Sequence, residues 1–151
     1  MPDAGFRFTV LSPQGTAFAG LARSVRLPTV DGEISVLAHH MPLVAVLTDG
    51  EVLVDTGQGE VSIAIAGGFL DTTGAKGGEW EATVLSDFAT QSDSIEVARV
   101  EAAKARAEHL LAEKRERGEL QLVERDLQRA ILQLKIAEKA RGRRRAPPPQ
   151  A

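Results

Sequence analysis

Two adjacent histidines, His39 and His40, are the first residues of this chain that suggest chemistry, because paired imidazoles often hold a metal. Neighbours on an extended chain point to opposite faces, however, and no third ligand is spaced nearby, so no metal centre is expected. Ser12, Ser35 and Ser62 lack a Gly-x-Ser-x-Gly elbow and have no base placed for them, which leaves a hydrolase triad unsupported. Gly67-Gly68 lacks the third spaced glycine and the following lysine of a phosphate loop, and fits a strand twist or a close backbone approach instead. With no cysteine, disulfides, thiolate ligands and thiol nucleophiles are all removed, which fits a reducing compartment. The residues therefore offer no catalytic group and no metal site, and imply no enzyme.

Charge divides the chain more sharply than it describes the whole. Residues 1–92 hold 4 Lys/Arg against 11 Asp/Glu, whereas residues 93–151 hold 14 against 10. An acidic first part argues against nucleic acid as a partner, since phosphate binding needs a positive surface. The basic second part suits an acidic protein surface or a nucleotide. The longest apolar stretches, 43–47 and 61–70, fall short of the ~18 to 20 residues that a membrane span needs. The start MPDAGFRF lacks the basic and apolar runs of a signal peptide, so a soluble, unexported chain is expected.

The elements that must position any site fall into two kinds. Six short β-favouring runs, Phe6 to Leu11, Ser24 to Pro28, Glu33 to Leu37, Gly50 to Asp55, Glu60 to Ala66 and Glu81 to Leu85, are separated by Gly, Pro and Asp. Asp31-Gly32 and Asp49-Gly50 are hairpin candidates. In 61–65 the β-branched residues alternate with small ones, which predicts Val61, Ile63 and Ile65 on a core face.

Near Asp93 the composition turns to Ala, Glu, Lys, Arg and Leu, and Asp93-Ser94-Ile95-Glu96 has the spacing of a capping box. A helix is predicted from there to about Arg117, broken at Gly118. A second helix follows with an apolar stripe at Leu120, Val123, Leu127, Ala130, Leu134 and Ala137. Rows of alanine, Ala98, Ala102 and Ala105 with Ala103 and Ala107, offer the first helix's packing face. The fold expected is α+β: a flattened antiparallel β-sandwich over 1–90, an antiparallel two-helix hairpin over 91–140, and a disordered basic, proline-rich tail over 141–151.

These residues resemble the epsilon subunit of F-type ATP synthase, from Phe6 to about Ala140. The similarity is carried by Val10-Leu11-Ser12-Pro13-Gln14-Gly15, and above all by Gly32-Glu33 followed at fixed distance by His40-Met41-Pro42-Leu43. Ile65-Ala66-Gly67-Gly68-Phe69-Leu70 and Val84-Leu85-Ser86-Asp87 continue it. The resemblance implies a non-catalytic central-stalk subunit. One end of its sandwich meets the membrane-embedded c-ring, its side packs on the gamma shaft, and its helices regulate ATP hydrolysis. It places Glu33, His40 and Pro42 at the ring contact. On the residues alone, Gly32 and Pro42 shape turns and His40 satisfies a backbone carbonyl.

Some members of that family bind ATP on the hairpin, through a motif to which Ile95-Glu96-Val97-Ala98-Arg99-Val100 is a partial match. The resemblance thus implies a weakened regulatory ATP site at Glu96, Arg99, Arg106 and Arg129. Thr90 and Gln133 stand where such members carry an acid and an arginine. The plainer account of the arginines is solvated ion pairs at helical spacing, with Glu96 or Glu101. When the hairpin extends, basic residues including Arg115, Arg117, Arg125 and Arg129 would meet acidic surfaces of the catalytic alpha/beta head. Location follows as peripheral, on the cytoplasmic face of a bacterial plasma membrane, held there only through the complex. The rival from another class is a free-standing adaptor, its sandwich binding a peptide and its coiled-coil hairpin dimerising.

Overall fold

A computed structural model of the chain describes residues 5–39, 41–76, 79–113 and 117–145. It divides into two compact units, Met1–Gln91 and Ser92–Ala151. Among the described residues the first holds ten strands: β1 (Phe6–Ser12), β2 (Gly15–Ala22), β3 (Ser24–Thr29), β4 (Gly32–Leu37), β5 (Val44–Leu47), β6 (Gly50–Asp55), β7 (Glu60–Ile65), β8 (Gly68–Lys76), β9 (Glu79–Leu85) and β10 (Ala89–Gln91). Hydrogen bonding orders them β10-β7-β6-β3-β5-β8-β9-β1-β2, with β4 attached to β3. The sheet folds over into a sandwich that is nearly a barrel, and the Gln91 amide closes its two ends by donating to the Ala17 carbonyl at 2.8 Å.

Alternation along the strands explains the core. Phe6, Phe8 and Val10 of β1 point inward with Val52 and Val54 of β6 and Ile63 and Ile65 of β7, all with essentially no exposure. Phe6 meets Trp80 edge to face at 6.2 Å between centroids and Phe8 likewise at 6.4 Å, the contact geometry that ring quadrupoles favour, while Phe8 and Phe18 lie tilted at 5.9 Å. Ile63 and Ile65 are core as their spacing predicts, whereas Val61 is only half-buried.

Some local expectations are corrected. The sheet is not wholly antiparallel, because β1 pairs β9 in parallel. Asp31-Gly32 does close the β3–β4 hairpin, with Thr29 opposite Gly32. Asp49-Gly50 does not make one: β5 pairs with β3 and β8, and β6 with β3 and β7. Gly50 instead lies against Pro28, where an added Cβ would stand 3.0 Å from the ring.

The second unit holds a 3₁₀ turn at Ser92–Ser94 and two helices packed on each other, α1 (Val97–Ala112) and α2 (Arg117–Arg145). The expected capping box does not form. Glu96 is the N-cap without a side-chain cap hydrogen bond, and the Asp93 carboxylate pairs with Arg144 at the far end of α2, a pairing that also shows the helices to be antiparallel. A charged partner thus outcompetes the local backbone donors. Gly118 is no break, since it lies in the first turn of α2, and α2 runs on to Arg145 rather than stopping at Ala140. Arginine is a good helix former, and cations there complement the helix dipole. The α1 face is also not the alanine rows: Ala98, Ala102, Ala103 and Ala105 are exposed, and Val97, Val100, Lys104 and Ala107 turn away from solvent. That row carries larger apolar groups, so burying it removes more surface from water. On α2 the stripe from Leu120 to Ala137 is covered as its period predicts.

Candidate functional site

β4 delivers the chain to a short segment that returns as β5, and of the three residues expected to make a contact one lies in this strand and another in the segment after it. Glu33 is the second residue of β4, opposite Pro28, and is exposed. Pro42 is exposed beyond the strand's other end, while His40 lies outside the described residues. His39 sits at φ 63°, a left-handed conformation that turns the backbone sharply there.

What holds that segment is Thr72 of β8, 2% exposed. The Leu43 N–H donates to Thr72 Oγ1 at 2.8 Å, and the Thr72 N–H donates back to the Leu43 carbonyl at 2.9 Å. The hydroxyl proton is left for the Met41 or Leu43 carbonyl, both at 3.3 Å. Pro42 is thus flanked by two residues pinned to one buried side chain. Thr72→Val keeps the shape but strips the acceptor from a part-buried N–H, at a cost of about 1–3 kcal/mol. Thermal melting should show that loss, with amide exchange at Leu43 quickened more than that of the β5 residues after it.

A second feature has no local signal in the sequence. Cross-strand register places Val46 opposite Phe69, Phe69 opposite Leu85, and Leu85 opposite Leu11, so four apolar side chains run across β5, β8, β9 and β1. Phe69 is 55% exposed, Leu85 54% and Val46 47%. Together with Pro13 they line an open depression of about 470 Å³ with Asp87 at its rim. A row of large apolar groups facing water on one sheet face is what a protein-binding patch looks like. Ser86 fixes its floor: its hydroxyl lies 2.8 Å from the Phe88 carbonyl and 3.1 Å from that of Ala66, and its N–H donates to the Leu11 carbonyl.

In the helical unit, Arg99 and Arg106 lie seven residues apart, share one face of α1 and are exposed, as is the N-cap Glu96. Arg129 is half-buried on α2. Arg115, expected among the basic residues of the hairpin, lies outside the described residues. Among the described residues no group of three or more His, Cys, Asp or Glu is arranged to hold a metal. No helix among them is long and apolar enough to cross a membrane.

Residues 5–92 match the family model for the ATP synthase delta/epsilon chain β-sandwich domain. The chain is 34% identical over 139 residues to the ATP synthase epsilon chain of Dehalococcoides mccartyi, covering 91% of this chain and 96% of that one. It is 33% identical over 133 residues to the ATP synthase epsilon chain of Syntrophobacter fumaroxidans, covering 88% and 96%. In fold it is similar to a chain in the cryo-EM structure of Euglena gracilis mitochondrial ATP synthase, with TM-score 0.58 and 18% identity over 93% of this chain and 81% of that one.

Proposed function

This chain belongs to the ATP synthase epsilon-chain family, and on that footing we propose that it is a non-catalytic rotor subunit that joins the shaft to the membrane ring and restrains ATP hydrolysis through its helices. The observation that carries the docking role is the row of exposed Val46, Phe69 and Leu85, continued by half-buried Leu11, with its depression. In this reading the row packs on the gamma shaft. An apolar surface of this kind gains by being covered, and the Asp87 rim offers a charged hydrogen bond to a basic partner group.

Glu33, His40 and Pro42 face polar loops of the c-ring in the same reading. Support comes from the exposure of Glu33 and Pro42 and from the Thr72 anchor behind the latter. A fixed backbone presents its contacts at little entropic cost. Weak regulatory ATP binding falls to Glu96, Arg99, Arg106 and Arg129, supported by the shared exposed face of Arg99 and Arg106. The location that goes with this role is the cytoplasmic face of a bacterial plasma membrane.

The brake is tested by ending the chain after Gln91, which preserves β10 and the whole sandwich. The assembled complex should still copurify with shaft and head subunits, and its basal ATP hydrolysis should rise about fivefold or more, the lower range of ordinary coupling energies. Unchanged hydrolysis in an intact complex would remove the regulatory part of the proposal. Failure of the full-length chain to copurify would remove all of it and favour the adaptor.

A further inference from the structure

At 1.5 Å per residue the 29 residues of α2 span ~44 Å and the 16 of α1 span ~24 Å. The antiparallel partner therefore runs past Val97, alongside the residues that lead into α1. There the Arg144 guanidinium is paired with the Asp93 carboxylate in the 3₁₀ turn, next to the buried Ser92. The hairpin is thus joined by the chain at one end and by charge at the other. Among the described residues its buried apolar side chains are Ala107 on α1 and Ala130, Ile136, Ala137 and Ala140 on α2, all but one of them alanine, so the apolar reserve is modest.

We infer that Asp93 and Arg144 form a clasp, a charge-dependent contact that holds the hairpin closed at its root and sets how readily α2 separates from α1. Arg144 is 65% exposed and Asp93 66%, so the clasp is open to salt and to competition. An acidic protein surface offered to Arg144 competes directly with Asp93 and favours release. That exposure also limits its strength to a shift of about fivefold in the closed-to-open ratio. The regulatory consequence rests on the brake proposed above; the contact itself does not.

The test is amide hydrogen exchange of residues 137–145 in the isolated full chain, at ~0.01 M and ~1 M salt, where the Debye length falls from ~30 to ~3 Å. Protection in the wild type should drop about three- to fivefold in high salt. Asp93→Asn, which leaves α2 untouched, should show the high-salt level at both concentrations. Exchanging the charges, Asp93→Arg with Arg144→Asp, should restore both the protection and its salt response. Salt-independent protection in the wild type, or wild-type behaviour of Asp93→Asn, overturns the clasp. Neither result bears on hydrolysis by the truncated complex, so clasp and brake fail separately.

Discussion

Gly68→Ala should be among the most damaging single changes to the sandwich, lowering its stability by about 4 kcal/mol. Two costs combine at this position. Gly68 has φ 120°, a region that residues with a Cβ occupy only at ~1–3 kcal/mol of strain. Its added Cβ would also stand 2.0 Å from the Leu85 carbonyl oxygen and 2.9 Å from Ser86 Cα, both backbone atoms of the neighbouring strand end. Relief requires β8 and β9 to part where Phe69 faces Leu85, adding an overpacking cost of ~1–3 kcal/mol. For a domain of under 100 residues, whose whole stability is ~5–10 kcal/mol, this corresponds to a fall in Tm of roughly 15–30 °C.

Gly67→Ala is the control. Its φ is 60°, and the nearest atoms to a new Cβ are the Leu47 carbonyl at 3.6 Å and Asp49 Oδ1 at 3.7 Å, ordinary contacts. Only the left-handed strain remains, about 1–2 kcal/mol. Differential scanning calorimetry of the two variants should thus separate them by ~10 °C or more. Equal melting temperatures would show that close approach of the backbones is not what Gly68 provides.

How much was legible follows from what each element offers locally. The strands built from alternating β-branched residues, such as β6 and β7, were read close to their observed limits. β2, β5, β8 and β10 were not, and each has a physical reason. β2 is mostly Gly, Ala and Thr, β5 has four residues and β10 three, and β8 opens on Gly68 and carries Asp71 and Thr72 amid its apolar residues. The apolar row needed β5 and β8 in register with β9 and β1, so it could not be seen before those strands were known. Asp93 shows the opposite failure. Its spacing to Glu96 is a local signal, and a partner 51 positions along the chain overrode it. Glu33 and Pro42 are exposed, and Thr72, which steadies the segment around Pro42, lies 29 residues beyond Leu43, too far along the chain to be tied to it by any local pattern.

Phe69→Asp should abolish detectable binding to the shaft subunit while leaving the isolated chain folded. Phe69 is 55% exposed and contributes to no core cluster, so its loss should move the melting temperature by only a few degrees. In the proposed interface the same position lies between Val46 and Leu85, at the middle of the row. Covering it removes water from the whole depression, and a carboxylate there would be desolvated beside apolar neighbours and the Asp87 rim. Truncating a central anchor costs ~2–4 kcal/mol, and an unpaired buried charge adds to it. At 1.4 kcal/mol per factor of ten, affinity should fall by at least two orders of magnitude. Leu122→Asp on α2, where the wild-type side chain is 63% exposed, lies outside the row and should bind as the wild type does. Titration calorimetry against the purified shaft subunit decides the matter. Undiminished affinity in a folded Phe69→Asp chain would mean that this face of the sandwich is turned away from the shaft.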